Sequence, residues 1–146
     1  MSNKKVTDAL KQSLADTYTL YLKTQNYHWN VTGPNFKGLH ALFEEQYMEL
    51  AAAADELAER IRALGEKAPG SYREFSKLAS IEEAAGNEDA KTMLSTLKND
   101  HLKVVKTLTK TIQAAESEED EGTLDLLGGR IGTHQKHAWM LEASAA

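Results

Sequence analysis

Asn35-Phe36-Lys37-Gly38-Leu39-His40-Ala41-Leu42-Phe43-Glu44-Glu45-Gln46-Tyr47-Met48-Glu49-Leu50-Ala51-Ala52-Ala53-Ala54-Asp55-Glu56-Leu57-Ala58-Glu59-Arg60-Ile61-Arg62-Ala63-Leu64 is the stretch that decides the fold. Phe36, Phe43, Leu50, Leu57 and Leu64 recur every seven residues, with Tyr47, Ala54 and Ile61 between them. A seven-residue recurrence keeps one apolar stripe along one side of a long helix, the pattern of a bundle helix that needs partners. The stretch therefore predicts one helix from about Asn35 to Leu64.

The same period extends outward in both directions. Val6, Leu10, Leu14, Tyr18, Tyr21 and Leu22 predict a first helix from about Asn3 to Asn30. Met93, Leu97, Val104, Leu108 and Ile112 predict a third from about Glu88 to Ala115, and Leu124, Leu127, Ile131, Trp139 and Met140 a fourth from about Glu121 to Ala143. Strand-like alternation is nowhere sustained. Thr32-Gly33-Pro34-Asn35 makes a tight break between the first two helices. The third and fourth are also closely joined, so each pair should form an antiparallel hairpin. The connection from about Gly65 to Asn87 is long, and Phe75 and Leu78 give it a short helical turn. Such a connection can carry the chain back along the whole bundle. That crossover topology belongs to ferritin-like bundles, so the fold class is all-α: a four-helix bundle with a short extra helix in the long connection.

Composition narrows the chemistry. The chain has 146 residues, the size of a single domain over 1–146, and opens with a short N-terminal tail of about residues 1–5. It has no cysteine, which excludes disulfides, a thiolate zinc site, an iron–sulfur cluster and a cysteine nucleophile. The net charge of −5 disfavours nucleic acid as the primary partner. No apolar run reaches the ~20 residues of a membrane helix, and Met1-Ser2-Asn3-Lys4-Lys5 lacks a signal-peptide core. A cytoplasmic protein is expected. Histidine and carboxylate remain as the ligating chemistry.

The second helix holds the most ordered set. His40 and Glu44 are spaced i, i+4, as are Asp55 and Glu59. At helical pitch all four fall within an arc of roughly 100° beside the apolar stripe. His28 continues Leu14 and Tyr21 in steps of seven and so points toward packed surface. Glu44 and Asp55 are nevertheless roughly 16 Å apart along one helix, whereas ligands sit only about 2 Å from a metal ion. One chain cannot gather the four around one centre. Two copies packed antiparallel across a twofold axis can, because the set is palindromic about positions 49 and 50. His40 and Glu44 of one copy then face Asp55 and Glu59 of the other. Imidazole with carboxylate and no thiolate suits iron. His134 and His137, spaced i, i+3, have no paired carboxylate nearby and read as packing or surface residues, and His101 carries no assignment. No Glu-x-x-His occurs, which argues against an intrachain di-iron site.

His28-Trp29-Asn30-Val31-Thr32-Gly33-Pro34-Asn35-Phe36, then Leu39-His40, then Asp55-Glu56-Leu57-Ala58-Glu59-Arg60 resembles the Dps family, the DNA-binding proteins from starved cells, also called mini-ferritins. Thr123-Leu124-Asp125-Leu126-Leu127, His134, Lys136 and Trp139-Met140-Leu141 extend the resemblance over essentially the whole chain. The resemblance implies a ferritin-like subunit assembled into a hollow homododecamer with ferroxidase centres at its dimer interfaces. The catalytic and metal-binding positions fall on His28, His40 and Glu44 of one subunit and Asp55 and Glu59 of its partner. Trp29 matches a tryptophan beside the centre that intercepts radicals. Asp120, Glu121 and Asp125 are candidates for an acidic pore. The implied activity is oxidation of Fe(II), typically with hydrogen peroxide and otherwise with oxygen, and storage of the ferric product, which protects DNA from oxidative damage.

Departures also count. Glu44 stands where many members have Asp, and Gln135 where Glu is common. The N-terminus is shorter than the lysine-rich tails of members that bind DNA. Lys4, Lys5 and Lys11, repeated over a shell, still leave an alternative: a stress protein that compacts the nucleoid by binding DNA, with little iron chemistry.

Overall fold

A computed structural model describes residues 4–146 and resolves these patterns into helices, with no strand among the described residues: α1 (Lys4–Asn30), α2 (Phe36–Ala63), α3 (Tyr72–Leu78), α4 (Ala90–Ser117) and α5 (Glu121–Ala145). The expected tail of residues 1–5 falls partly outside the described residues, and Lys4 and Lys5 already belong to α1. The α2 stripe forms the core, with Phe43, Leu50, Leu57 and Ile61 fully buried against Leu10, Leu20 and Tyr27 of α1. Leu97, Val104 and Leu108 of α4 and Leu127 and Leu141 of α5 complete it.

Pairing across the bundle fixes the topology. Lys5 meets Ser117, Ser13 meets Thr111, Asp16 meets Thr107 and Lys23 meets Asp100, so α4 descends as α1 rises. Glu49 meets Arg130 and Arg60 meets Thr123, so α2 and α5 are also antiparallel. Tyr21 against Tyr47 and His28 against His40 make α1 antiparallel to α2. Helices α2 and α4 must then run the same way, which requires the long crossover. It is the ferritin-like connection expected from the sequence.

Buried polar groups of α1 hold that crossover down. The Asp16 carboxylate accepts hydrogen bonds from the Ser80 backbone N–H (2.6 Å), the Ser80 hydroxyl (2.8 Å) and the Thr107 hydroxyl (2.7 Å). Lys23 donates to the Glu82 carbonyl (2.8 Å) and pairs with Asp100 (2.8 Å). Ser71 and Glu74 form a reciprocal box that starts α3. Asp89 and Asp120 cap α4 and α5 through the N–H groups of Thr92 and Thr123. Gly33, at φ 118°, makes the α1–α2 turn in a conformation that a side chain would strain.

Three residues of the predicted stripes are exposed, and so is the tryptophan beside His28. Leu22, Phe36 and Trp139 are exposed, and Trp29 is 61% exposed. Amphipathic spacing marks an apolar stripe, but it does not say which part of that stripe a neighbouring helix of the same chain covers. No helix of the described residues is long and apolar enough to cross a membrane.

Candidate metal centre

The α1–α2 hairpin brings the last turn of α1 against the first turn of α2. His28 and His40 stack there with ring centroids 3.7 Å apart and planes 15° apart. The Nδ1 of His28 lies 2.7 Å from the His40 carbonyl oxygen, and the Nδ1 of His40 lies 2.7 Å from the His28 carbonyl oxygen. A carbonyl oxygen only accepts, so each ring must carry its proton on Nδ1 and donate it. In the neutral imidazoles this tautomer leaves both Nε2 atoms as lone pairs, the form that binds a metal ion. Glu44, one turn beyond His40, places Oε1 3.7 Å from the His28 Nε2. One ligand atom from each of His28, His40 and Glu44 lies within 4.8 Å of the others, the only such group among the described residues.

His28 is buried, His40 half-buried and Glu44 exposed, so the cluster opens to one side. Phe36 stacks on His40 at 5.0 Å and Tyr47 meets His28 edge-on at 5.2 Å, which limits the freedom of both rings. Five positions were expected to form the centre, and three of them gather in one chain. Asp55 and Glu59 lie further along α2, both exposed, and are not part of the group. The helix-rise argument requires that separation.

The remaining expected positions are scattered. Trp29 follows His28 but points outward. Asp120 accepts from the Thr123 N–H and hydroxyl and pairs with Arg60 at 2.9 Å. Burial opposes ionisation of its carboxyl, but the Thr123 and Arg60 hydrogen bonds outweigh it and lower the pKa. Glu121 and Asp125 are exposed. Arg60 packs so close to α5 that a Cβ on Gly122 would meet its guanidinium at 2.7 Å.

A second polar cluster lies inside the bundle, where sequence reasoning placed no site. Arg130 makes a two-point pair with Glu49 and also donates to the His134 Nε2 at 3.0 Å. His134 and His101 share an Nδ1–Nδ1 hydrogen bond of 2.9 Å, and the His137 Nε2–H donates to Glu49 at 3.0 Å. Arginine only donates, so His134 must accept on Nε2 and donate from Nδ1. His101 must then accept on Nδ1 and keep its proton on Nε2. Neither nitrogen of His134 is free, and His101 presents no free lone pair, so these histidines are struts and not ligands. Burial first, then the neighbouring His137 and Arg130 charges, push His101 down to about 3. Burial, with His101, Arg130 and His137, likewise holds His134 well below its ordinary value. Burial raises Glu49, but hydrogen bonds from His137 and Arg130 outweigh it and hold the carboxyl at about 2. The one signal in the sequence was Arg130, His134 and His137 falling on one face of α5.

The sequence pattern of the ferritin-like domain family matches residues 7–145. DNA protection during starvation protein 2 of Bacillus anthracis is 42% identical over 97% of this chain and 97% of its own length. The chain belongs to the Dps family. Solved Dps structures agree with this membership. A Dps protein from Bacillus brevis superposes with a TM-score of 0.95 at 38% identity, covering 99% of this chain and 97% of the other. The Dps protein of Vibrio cholerae O1, described as a member of a broad superfamily of ferritin-like diiron-carboxylate proteins, superposes at 0.94 with 33% identity, covering 99% and 91%. A donor set of two imidazoles with free Nε2 atoms and one carboxylate fits the iron chemistry of that superfamily.

Proposed function

We propose that this Dps-family chain is a cytoplasmic ferroxidase and iron-storage subunit. The observation that carries the reading is the reciprocal Nδ1–carbonyl pair, which leaves two imidazole lone pairs beside Glu44. Fe(II) is the substrate. His28, His40 and Glu44 hold it from one subunit, and Asp55 and Glu59 of the partner subunit complete the site. Two Fe(II) ions each give one electron to hydrogen peroxide, which with two protons leaves as two water molecules; oxygen is the alternative oxidant. Glu44 offsets the cation charge, and the fixed Nδ1–H tautomers require no proton shift before Fe(II) binds.

Twelve subunits as a hollow shell would carry a formal charge of roughly −60, a field that draws in cations. Glu121 and Asp125 are free to serve an entry pore, whereas Asp120 is committed to Arg60 and the α5 cap. Consuming Fe(II) and peroxide together removes the reagents of hydroxyl-radical formation, which is how this chain would protect DNA. Direct nucleoid binding finds less support. Lys4 and Lys11 both lie near Asp8, at 3.6 and 3.9 Å, and Lys5 donates to Ser117.

The shared site is tested by complementation. His28→Asn with His40→Asn keeps a donor near each Nδ1 position and removes both Nε2 ligands. Asp55→Asn with Glu59→Gln removes the other half. Each double variant alone should lose peroxide-driven Fe(II) oxidation. Co-assembled from mixed, refolded subunits they should recover it, because half of the sites in a mixed dimer are intact. Activity that stays absent in a well-assembled mixture would place all the ligands in one chain and end the shared-site reading.

A further inference from the structure

Four of the five tyrosines of this chain lie in one line that begins at the metal centre. Tyr47 of α2 meets His28 edge-on at 5.2 Å between centroids. Tyr21 meets Tyr47 at 6.0 Å, and Tyr18, one turn earlier on α1, meets Tyr21 at 5.3 Å. Tyr18 stacks on Phe75 of α3 at 4.9 Å, and Tyr72, the first residue of α3, lines the same two surface clefts as Tyr18 and Phe75. Tyr72 is 73% exposed. Each ring contact from His28 to Phe75 is within ordinary aromatic contact range. On α1 the rise from Tyr21 to His28 is two turns, ~10 Å, too far for ring contact, and Tyr47 of the neighbouring helix fills that gap. Tyr27 is the one tyrosine off the line; it is fully buried and donates to Glu88 at 2.5 Å.

Packing alone would accept phenylalanine at the half-buried Tyr18, Tyr21 and Tyr47. A phenol adds a group that gives up one electron and one proton together. The need for one arises at the centre itself, so the inference rests on the ferroxidase reading. Peroxide takes two electrons and one Fe(II) supplies one. When a single Fe(II) is bound, the second electron must come from elsewhere, or a hydroxyl radical is released.

We propose that Tyr47, Tyr21, Tyr18 and Tyr72 form a relay that supplies this second electron and moves the resulting hole to the surface. The step balances as Fe(II), H2O2, one tyrosine phenol and one proton giving Fe(III), a tyrosyl radical and two water molecules. The radical then passes along the line as each tyrosine yields an electron and a proton to the one before it. At Tyr72 a small reductant from solution, a thiol or ascorbate, returns one electron and one proton.

The test loads the assembled protein with less than one Fe(II) per site without oxygen, adds hydrogen peroxide and a nitroso spin trap, and locates the adduct by peptide mass spectrometry. Freeze-quenched electron paramagnetic resonance with ring-deuterated tyrosine separates tyrosyl from tryptophanyl signals. The wild-type chain should give a tyrosyl signal and an adduct at Tyr72. Tyr21→Phe should lose the Tyr72 adduct and raise hydroxyl-radical trapping, with the rate of Fe(II) oxidation unchanged. An equal Tyr72 adduct in Tyr21→Phe, or a wild-type radical confined to Trp29, overturns the relay while leaving the ferroxidase reading intact. A second arm needs no iron. A ruthenium photo-oxidant tethered at Lys37→Cys, flashed with an irreversible electron acceptor, injects a hole at the hairpin. The Tyr72 adduct should form there too, and again be lost in Tyr21→Phe. If the wild-type chain does not oxidise Fe(II), the ferroxidase reading falls, and this arm alone decides for or against the relay.

Discussion

The bundle carries two histidine clusters, and they are wired in opposite ways. At the α1–α2 hairpin, each imidazole gives its Nδ1 proton to a backbone carbonyl, which leaves Nε2 free. In the bundle interior, His134 has both nitrogens engaged, by Arg130 and by His101, and Glu49 is held by Arg130 and His137. The residue types are the same in both places. What differs is the partner of the second nitrogen. A carbonyl partner leaves a neutral histidine a lone pair to offer, and a guanidinium partner takes that lone pair up.

The largest expected effect comes from removing the guanidinium. Arg130→Ala leaves the one-third exposed Glu49 charged without its two-point partner and the buried His134 Nε2 without a donor. Breaking one side of a buried pair costs about 3–5 kcal/mol, and the partial exposure of Glu49 puts the cost here at or below the lower end of that range. Thermal unfolding of Arg130→Ala should show a large drop in midpoint. The His28→Asn, His40→Asn pair should shift the midpoint little, because each hydrogen bond it disturbs contributes only about 1 kcal/mol and a donor remains. Similar drops in both variants would erase the distinction between ligand and strut.

Acid probes the same contrast with a smaller effect. His101 and His134 are neutral in the fold because burial holds both pKa values low, His101 at about 3. In the unfolded chain they take up protons below about pH 6.5. Between those limits the unfolded state binds more protons, so stability must fall as pH falls, by up to about 1.4 kcal/mol per pH unit for each histidine. Glu49 adds a loss of the same sign lower down, as pH drops from its ordinary 4.5 toward about 2. Guanidinium unfolding midpoints should therefore decline below about pH 6.5. A flat profile would mean that the interior histidines are charged in the fold.

The two clusters were not equally legible in the sequence. The α2 stripe with its seven-residue period, and the turn at Gly33 and Pro34, gave the hairpin, and the hairpin alone brings His28 to His40. The interior cluster needs α2, α4 and α5 to meet, and that depends on the crossover held by Asp16 and Lys23. Nothing local to Glu49 or Arg130 separates a buried pair from two surface charges. Helical spacing put Trp139 and Phe36 on apolar stripes, but spacing does not say which part of a stripe the other helices of the chain cover, and both remain exposed.

The smallest expected effect is at the edge of the first cluster. Glu44 is the exposed member of the metal group, its side chain half accessible and its Oε1 3.7 Å from the His28 Nε2. Glu44→Asp keeps the charge and withdraws it by one methylene. Stability should change by less than about 0.5 kcal/mol, as for most exposed substitutions. Fe(II) oxidation should persist, with apparent Fe(II) affinity weakened by less than about tenfold, or about 1.4 kcal/mol. Titrating Fe(II) against the initial oxidation rate reads this directly. Complete loss of oxidation would mean that the reach of Glu44 sets the geometry of the site. An unchanged titration curve would mean that the two imidazoles set it and that any nearby carboxylate serves.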